Sequence, residues 1–135
     1  MSDWNAQIIA EFRATGGKAA QFGDNPLVIL HTIGAKSGEV REIPLVAFLE
    51  DDDFYVFASA AGSPKHPDWY YNLKANPTIT IEFGVDTFEV TATELPADEA
   101  HAKLMQQAEL MPQFADYIPK AAPRIIPALR LTRTA

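Results

Sequence analysis

The sequence has no cysteine, few basic residues and no long apolar run, and each absence excludes a class of protein. Without cysteine there is no disulfide framework, no thiolate metal site and no cysteine nucleophile. Eleven Lys and Arg against 18 Asp and Glu give a net charge of −7, which argues against non-specific nucleic-acid binding. The longest apolar runs fall far short of the roughly 20 residues of a membrane helix, and the N-terminus lacks signal-peptide features. We therefore expect a cytoplasmic protein with no integral membrane segment.

Standard catalytic motifs are missing as well. The histidines His31, His66 and His101 have no metal-ligand spacing, so no metal site is predicted. Ser59, His66 and Asp68 are close in sequence, but Ser59 does not lie in the G-x-S-x-G turn of hydrolases. Neither the dinucleotide-binding glycine motif nor the P-loop motif occurs. A hydrolase and a standard nucleotide-binding enzyme are both disfavoured.

The length and the 47% hydrophobic content predict one domain over residues 1–135. Apolar residues at helical spacing predict an N-terminal helix over about residues 3–15, a short helix at Asp68–Ala75 and a longer one at Pro96–Met111. Runs of β-branched or alternating residues predict six strands, at residues 27–33, 40–50, 54–60, 78–83, 87–94 and 125–132.

The order of these elements favours a mainly β fold with helices. Neighbouring strands are joined by short connections, which indicates antiparallel pairing. With few residues to cover sheet edges, we expect a closed or partly closed barrel of about six antiparallel strands with flanking helices. Pro44 interrupts the second strand and has no N–H, so it predicts an edge, a bulge or a position where a ligand replaces the ladder.

A turn between the first two predicted strands carries the features of an anion site. It reads Gly34-x-Lys36-Ser37-Gly38-x-x-Arg41, with two glycines, two cations and a hydroxyl. Exposed amides in a tight turn bind anions, and Lys and Arg add charge-assisted hydrogen bonds. The alternative is an ordinary hairpin turn with solvated cations, and the residues alone leave both interpretations open.

The segment Ser59–Asn72 is the second candidate. Its small residues leave room for a ligand, and Trp69, Tyr70 and Tyr71 offer flat apolar surfaces against which a planar heteroaromatic ring can lie. The alternative is that these aromatic residues belong to the core.

Two spaced motifs carry a resemblance to a known family. The run L-V-I-L-H-T-I-G-A-K-S-G-E-V-R-E-I-P-L (27–45), the run A-S-A-A-G-S-P-K-H-P-D-W-Y-Y-N-L-K-A-N-P (58–77) and the terminal R-I-I-P (124–127) resemble the deazaflavin-dependent nitroreductase family. Members of that family, mainly from actinobacteria, share a split β-barrel and bind coenzyme F420. The resemblance therefore implies a split β-barrel that binds F420.

The resemblance also implies which residues bind the cofactor. Lys36, Ser37 and Arg41 match the positions that hold the phosphate and the acidic tail. Pro44 and Leu45 match the strand that flanks the cofactor. The positions near the deazaflavin are matched by Ala58, Ser59, Trp69, Tyr70 and Asn72.

The chain departs from the family pattern in this region. Ala60 occupies a cofactor-contacting position where the family has lysine, and Lys65 is a candidate to supply the missing charge. Ala35 stands where the family often has arginine.

The implied activity is hydride transfer between F420 and a small electron-poor substrate such as an enone, a quinone or an unsaturated lactone. Ser59 and Tyr117 are the candidate catalytic hydroxyls for proton delivery. The tyrosine-bearing stretch of nitroreducing relatives is here Met111-Pro-Gln-Phe114-Ala-Asp-Tyr117, so Met111 and Phe114 are expected to line an apolar substrate pocket. The protein is expected to be a monomer or a homodimer.

Two other functions fit the same residues. One is a split-barrel flavoprotein that binds FMN, whose single terminal phosphate needs fewer cations. The other is a non-catalytic module that binds or carries F420, which would lack a substrate pocket beside the ring.

Overall fold

A computed structural model describes residues 3–134, which form seven strands of one antiparallel sheet and four α-helices. The helices are α1 (Asp3–Thr15), α2 (Asp68–Ala75), α3 (Ala97–Leu110) and α4 (Gln113–Ala121), with short 3-10 helices at Ala20–Phe22 and Ala60–Gly62. The strands are β1 (Leu27–Ile33), β2 (Val40–Val46), β3 (Phe48–Glu50), β4 (Asp53–Phe57), β5 (Thr78–Phe83), β6 (Asp86–Glu94) and β7 (Ala128–Arg133). No helix within residues 3–134 is long and apolar enough to cross a membrane.

The two outer strands of the sheet are consecutive in the chain. The sheet order is β2-β1-β5-β6-β7-β4-β3, and Ala47 separates β2 from β3. The chain therefore changes partner at Ala47, from β1 to β4, and the amide of Ala47 donates to the carbonyl of Pro26 at 2.9 Å. This corner curls the sheet into a half-barrel. The expected mainly β fold with an antiparallel, partly closed sheet and flanking helices is confirmed.

Three of the predicted boundaries are wrong, for local reasons. The predicted strand at residues 40–50 is two strands, because the chain bends at Ala47 rather than at Pro44, which lies inside the edge strand β2 opposite Ile29. The predicted strand at residues 54–60 ends at Phe57, ahead of positive φ angles at Ala60 and Ala61. The last strand begins at Ala128, after Pro127, rather than at Ile125.

The helix α4 is absent from the sequence prediction because prolines punctuate this stretch. Pro112 precedes its first turn, where no backbone donor is needed, and Pro119 lies inside it. Phe114, Tyr117 and Ile118 recur at helical spacing and pack on the outer face of the barrel. Burial of this apolar face outweighs the missing hydrogen bond at Pro119.

The core of the described residues has one cluster inside the barrel and two outside it. Inside the barrel, side chains of β1, β4, β5 and β7 pack around Trp69 and Leu73 of α2, which closes one end. Outside it, α3 and α4 cover Tyr55 and Phe57 of β4, while α1 covers Leu27 and Ile29 of β1. Residues of α1, α2 and α4 all lie beside the edge strand β2.

Candidate functional site

The turn between β1 and β2 is tight and depends on its glycines. The amide of Gly38 donates to the carbonyl of Gly34 at 2.9 Å, and the amide of Gly34 donates to the carbonyl of Glu39 at 2.8 Å. A Cβ atom on Gly34 would lie 2.4 Å from the hydroxyl of Ser37, and Gly38 has a φ of 73°. The close approach of Ser37 favours glycine at position 34, and the positive φ favours glycine at position 38.

Lys36 and Arg41 project from this region without carboxylate partners. Both side chains are exposed, and neither forms an ion pair or hydrogen bond with another side chain of residues 3–134. By contrast Arg13, Lys74 and Arg130 are each bonded to a carboxylate. Two unpaired cations beside one turn on an acidic protein are available to an anionic ligand.

The helix α2 is fastened to this turn by two asparagines. The side-chain oxygen of Asn72 accepts a hydrogen bond from the amide of Ala35 at 3.0 Å. The side-chain nitrogen of Asn76 donates to the carbonyl of Ile33 at 3.4 Å. Asn72 thus has a visible role in holding the turn, in addition to its predicted contact with the cofactor.

Three adjoining cavities follow β2 from this turn, and we call them together the β2 groove. The first, about 520 Å³, is lined by Lys36, Ser37, Arg41, Asp68, Tyr71 and Asn72 among others. The second, about 630 Å³, shares Arg41, Asp68 and Asn72 with the first and adds Ile43 and Trp69. The third, about 300 Å³, shares Ile43 and Trp69 with the second. Glu39 and Glu42 line the second cavity, so the anionic part of a ligand is expected at the turn end.

The third cavity is the apolar end of the groove, and we call it the apolar pocket. Phe114 lies between Phe57 and Tyr117, with ring centroids 6.1 and 5.3 Å away, in edge-to-face arrangements. The predicted residues that line the pocket are Pro44, Leu45, Ser59, Ala60, Trp69, Met111, Phe114 and Tyr117. The structure therefore brings together the expected substrate residues and part of the expected cofactor set.

Three predicted residues lie apart from these cavities. Ala58 is buried, and its amide and carbonyl are already bonded to Pro127 and Arg124. The hydroxyl of Tyr70 donates to Glu94 at 2.9 Å, and burial together with this carboxylate raises its pKa. Lys65 is exposed and lines none of the cavities described within residues 3–134.

Two groups of residues that shape the β2 groove were not predicted from the sequence. Trp4 of α1 and Phe22 line the apolar pocket with their rings 6.2 Å apart, and the indole nitrogen of Trp4 donates to Gln21. Trp4 lies in the predicted N-terminal helix, for which no site role is expected from the sequence. Arg124, in the R-I-I-P motif, makes five hydrogen bonds to the segment from Ala58 to His66, but the motif had been given no role.

A second polar cluster lies between α1 and the sheet. Ligand atoms of His31, Glu42 and Glu82 lie within 4.8 Å of one another. The guanidinium of Arg13 bridges the two carboxylates, at 2.5 Å from Glu42 and 2.6 Å from Glu82, and hydrogen bonding by Arg13 lowers the pKa of Glu82. Because the cluster already contains its own cation, we interpret it as an ion-pair network that fastens α1.

Comparisons with known proteins agree with this geometry. The family model for F420H(2)-dependent quinone reductase matches residues 4–131. An F420H(2)-dependent quinone reductase of Mycobacterium tuberculosis is 36% identical over 129 residues, covering 92% of this chain and 86% of its own. A solved F420-H2 dependent reductase has 38% identity and a TM-score of 0.70, over 78% of this chain and 93% of its own. A solved domain-swapped dimer has 36% identity and a TM-score of 0.72, over 96% of this chain and 97% of its own.

Proposed function

This chain belongs to the F420H(2)-dependent quinone reductase family, and from that premise we propose that it reduces a quinone bound in the apolar pocket. The prediction of an F420-dependent oxidoreductase, with F420 as its cofactor, is confirmed at the level of the family. The narrower label of nitroreductase is not, because the matching family is that of quinone reductases. The observation that carries the proposal is a groove that joins two unpaired cations to an apolar pocket.

The turn end of the groove suits the phosphate and acidic tail of F420. Lys36 and Arg41 supply two charges, and the glycine-dependent turn leaves no side chain at Gly34 to obstruct the backbone. Oxygens of a phosphodiester and of carboxylates are good acceptors for these donors. The preference for F420 over FMN follows from the family match, and Lys36 and Arg41 are the cations available to the phosphodiester and the tail carboxylates.

The middle and the apolar end suit a planar ring. Ser59 and Ala60 are small, and Trp69 lines the same pocket as Pro44, whose missing N–H leaves that part of the edge strand without a donor. Bound F420 supplies two-electron hydride chemistry. The protein's own part is to orient the ring, bring the substrate against it and limit access of water.

The substrate is proposed to lie among Met111, Phe114 and Tyr117, in the pocket that Trp4 and Phe22 also line. These walls suit a flat, weakly polar quinone, and the same reasoning extends to enones and unsaturated lactones. A quinone that accepts hydride also takes up one proton. The hydroxyls of Ser59 and Tyr117 border the pocket and are the candidates to hold that proton or to bond the carbonyl oxygen that receives it.

Two measurements test the proposal. Titration of the purified protein with F420 and with FMN, followed by fluorescence, should show tighter binding of F420. The loaded protein should then oxidise reduced F420 when a soluble benzoquinone is added. Tighter FMN binding would favour the flavoprotein alternative, and F420 binding without turnover of any quinone, enone or lactone would favour the carrier.

Between monomer and homodimer, we propose the homodimer. The support is the solved domain-swapped dimer, which is similar to this chain over 96% of its length. Light scattering of the purified protein tests this directly, and a monomer mass across the accessible concentration range would overturn it.

A further inference from the structure

The segment Ser59–Ser63, which we call the ring-side turn, has an unusual backbone. Ala60 and Ala61 both have positive φ angles, 47° and 53°, although neither is glycine. Residues with a Cβ atom rarely adopt this conformation, and they keep it only where the surroundings hold them. Ser59, Ala60 and Ala61 all line the apolar pocket, so the shape of this turn determines one wall of the site.

The helix α4 packs directly on the ring-side turn. A Cβ atom on Gly62 would lie 2.7 Å from Cβ of Lys120 and 3.4 Å from Cα of Tyr117. The turn and the helix that carries Phe114 and Tyr117 are therefore in direct contact, with no space between them for even one more carbon atom. A change in the turn alters both walls of the pocket.

A single guanidinium holds this turn. Nη1 of Arg124 donates to the carbonyl of Ala58 at 2.9 Å, and Nη2 donates to the carbonyl of Ser59 at 2.9 Å. Nε and Nη2 both donate to the carbonyl of Ser63, at 3.1 and 2.8 Å. These carbonyl groups flank Ala60 and Ala61 on both sides, so the bonds fix the ends of the strained pair.

The last contact of Arg124 is with His66. Nη1 lies 2.9 Å from Nδ1 of His66, and because a guanidinium only donates, this Nδ1 must be unprotonated. Five contacts use the five N–H donors of the guanidinium, which leaves none for a ligand. Arg124 therefore acts on the site through the turn rather than by touching the cofactor.

We propose that Arg124, with neutral His66 as its partner, is a positioning residue that holds the ring-side turn in the conformation needed for F420 binding and hydride transfer. The inference rests on the proposed function, since it assumes that the cofactor ring lies against this turn. It goes beyond that function by giving the R-I-I-P motif a mechanical role. The competing explanation is that Arg124 stabilises the fold and has no specific effect on the site.

The surroundings of His66 make the contact between Arg124 and His66 sensitive to acid. Its ring lies 4.6 Å from Tyr70 and 5.8 Å from Tyr71, and its charged neighbours are Arg124, Lys74 and Glu94. Burial first, and then Arg124, lower the pKa of His66 below its ordinary value of 6.5. Below that pKa the protonated ring no longer accepts from Arg124, so a smaller fraction of molecules holds the binding conformation and the apparent affinity falls.

The first test compares Arg124→Lys with Arg130→Lys. Arg130, the third residue of β7, bonds Asp53 at 2.8 Å, so its variant loses an arginine contact that lies outside the ring-side turn. The single ammonium of a lysine cannot reproduce five hydrogen bonds donated from three separate nitrogens, and we expect Arg124→Lys to weaken F420 binding and lower kcat by about tenfold each, the factor for one lost charge-assisted hydrogen bond. Arg130→Lys should bind F420 and turn over as the unaltered protein does, and both variants should remain folded at the assay temperature. Unchanged F420 binding and kcat would overturn the inference, and so would losses that only parallel a fall in thermal midpoint.

The second test does not depend on how well Arg124→Lys folds. His66→Asn keeps an acceptor near the position of Nδ1 but does not titrate. Between pH 8 and about pH 4, a range that extends well below the ordinary histidine pKa because the pKa of His66 is lowered, the unaltered protein should lose more affinity for F420 than His66→Asn does. Titration of the cofactor itself is common to both proteins and cancels. Equal losses would overturn the inference while leaving the proposed function intact, whereas failure of the unaltered protein to bind F420 at any pH would overturn both.

Discussion

Replacement of Lys36 and Arg41 together by alanine should weaken F420 binding strongly and in a salt-dependent way. Both side chains line the turn end of the β2 groove and have no carboxylate partner within residues 3–134. Their charge is therefore available to the ligand, and no internal ion pair is lost with them. The folded state should be almost unaffected.

The magnitude follows from the exposure of the two side chains. Charge-assisted hydrogen bonds contribute about 1.5–3 kcal/mol when desolvated. Because Lys36 and Arg41 are exposed, solvent screening reduces this to about 1–1.5 kcal/mol each. That corresponds to about tenfold per site and up to about a hundredfold for the double variant. Raising the salt concentration should weaken binding to the unaltered protein and have much less effect on the variant.

The assay is a fluorescence titration with F420 at low and high salt, with thermal unfolding as the check on folding. The matched control is Lys18→Ala with Arg133→Ala, which removes the same charge from residues outside the groove: Lys18 pairs with Asp24, and Arg133 lies over the ring of Phe88. The control should bind F420 within about twofold of the unaltered protein, because neither residue lines the groove and exposed charges are screened by salt. A folded double variant that binds as tightly as the control would refute the reasoning and leave the turn as a solvated hairpin.

Three further predictions concern the pocket, the turn and α1. The unaltered protein should reduce bicyclic nitroimidazoles poorly, because Phe114 cannot donate a hydrogen bond to a nitro group, and Phe114→Tyr should increase that rate, measured as loss of the nitro compound. Ala60→Lys should tighten F420 binding by restoring a cation beside the ring-side turn, and an unchanged Kd in the same titration would contradict this. Arg13→Gln should lower the thermal midpoint at pH 7 more than at pH 4. Arg13 lowers the pKa of Glu82 in the folded state, so the pair contributes its full stability above pH 4.5, the ordinary pKa of Glu82, and loses it as the pH falls through the lowered pKa. An equal loss at both pH values would show that the pair is uncoupled from folding.

Elements specified by local sequence could be predicted closely. The helix Asp68–Ala75 has the predicted bounds, and the hairpin of β5 and β6 differs from prediction by one residue, because alternation and a glycine turn are local signals. The corner at Ala47 and the proline-containing helix α4 depend instead on partners elsewhere in the chain. Ala47 bonds Pro26, and α4 forms because its apolar face is covered by the barrel. No window of neighbouring residues carries that information.

The candidate site also has parts that local sequence specifies and parts that depend on long-range contacts. The turn between β1 and β2 could be predicted as an anion site from its two glycines and from Lys36 and Arg41, which are five residues apart. The residues of the apolar pocket could be predicted from the family motif. Arg124 and Trp4 were not assigned to the site, since their roles come from long-range contacts. Arg124 bonds the carbonyl of Ser59 across 65 positions, and Trp4 meets the pocket because the apolar face of α1 and its Arg13 network hold the helix against the sheet. Such roles are invisible until the fold brings the partners together.

The central claim is that this groove binds F420 and places it beside a quinone, and one experiment tests it most directly. Purified protein is titrated with F420 and with FMN under identical conditions, and the F420-loaded sample is then given reduced cofactor and a soluble benzoquinone. We predict tighter binding of F420 than of FMN, and quinone-dependent oxidation of the reduced cofactor that Lys36→Ala with Arg41→Ala diminishes. Equal or tighter binding of FMN, or bound F420 that no quinone reoxidises, would contradict the account.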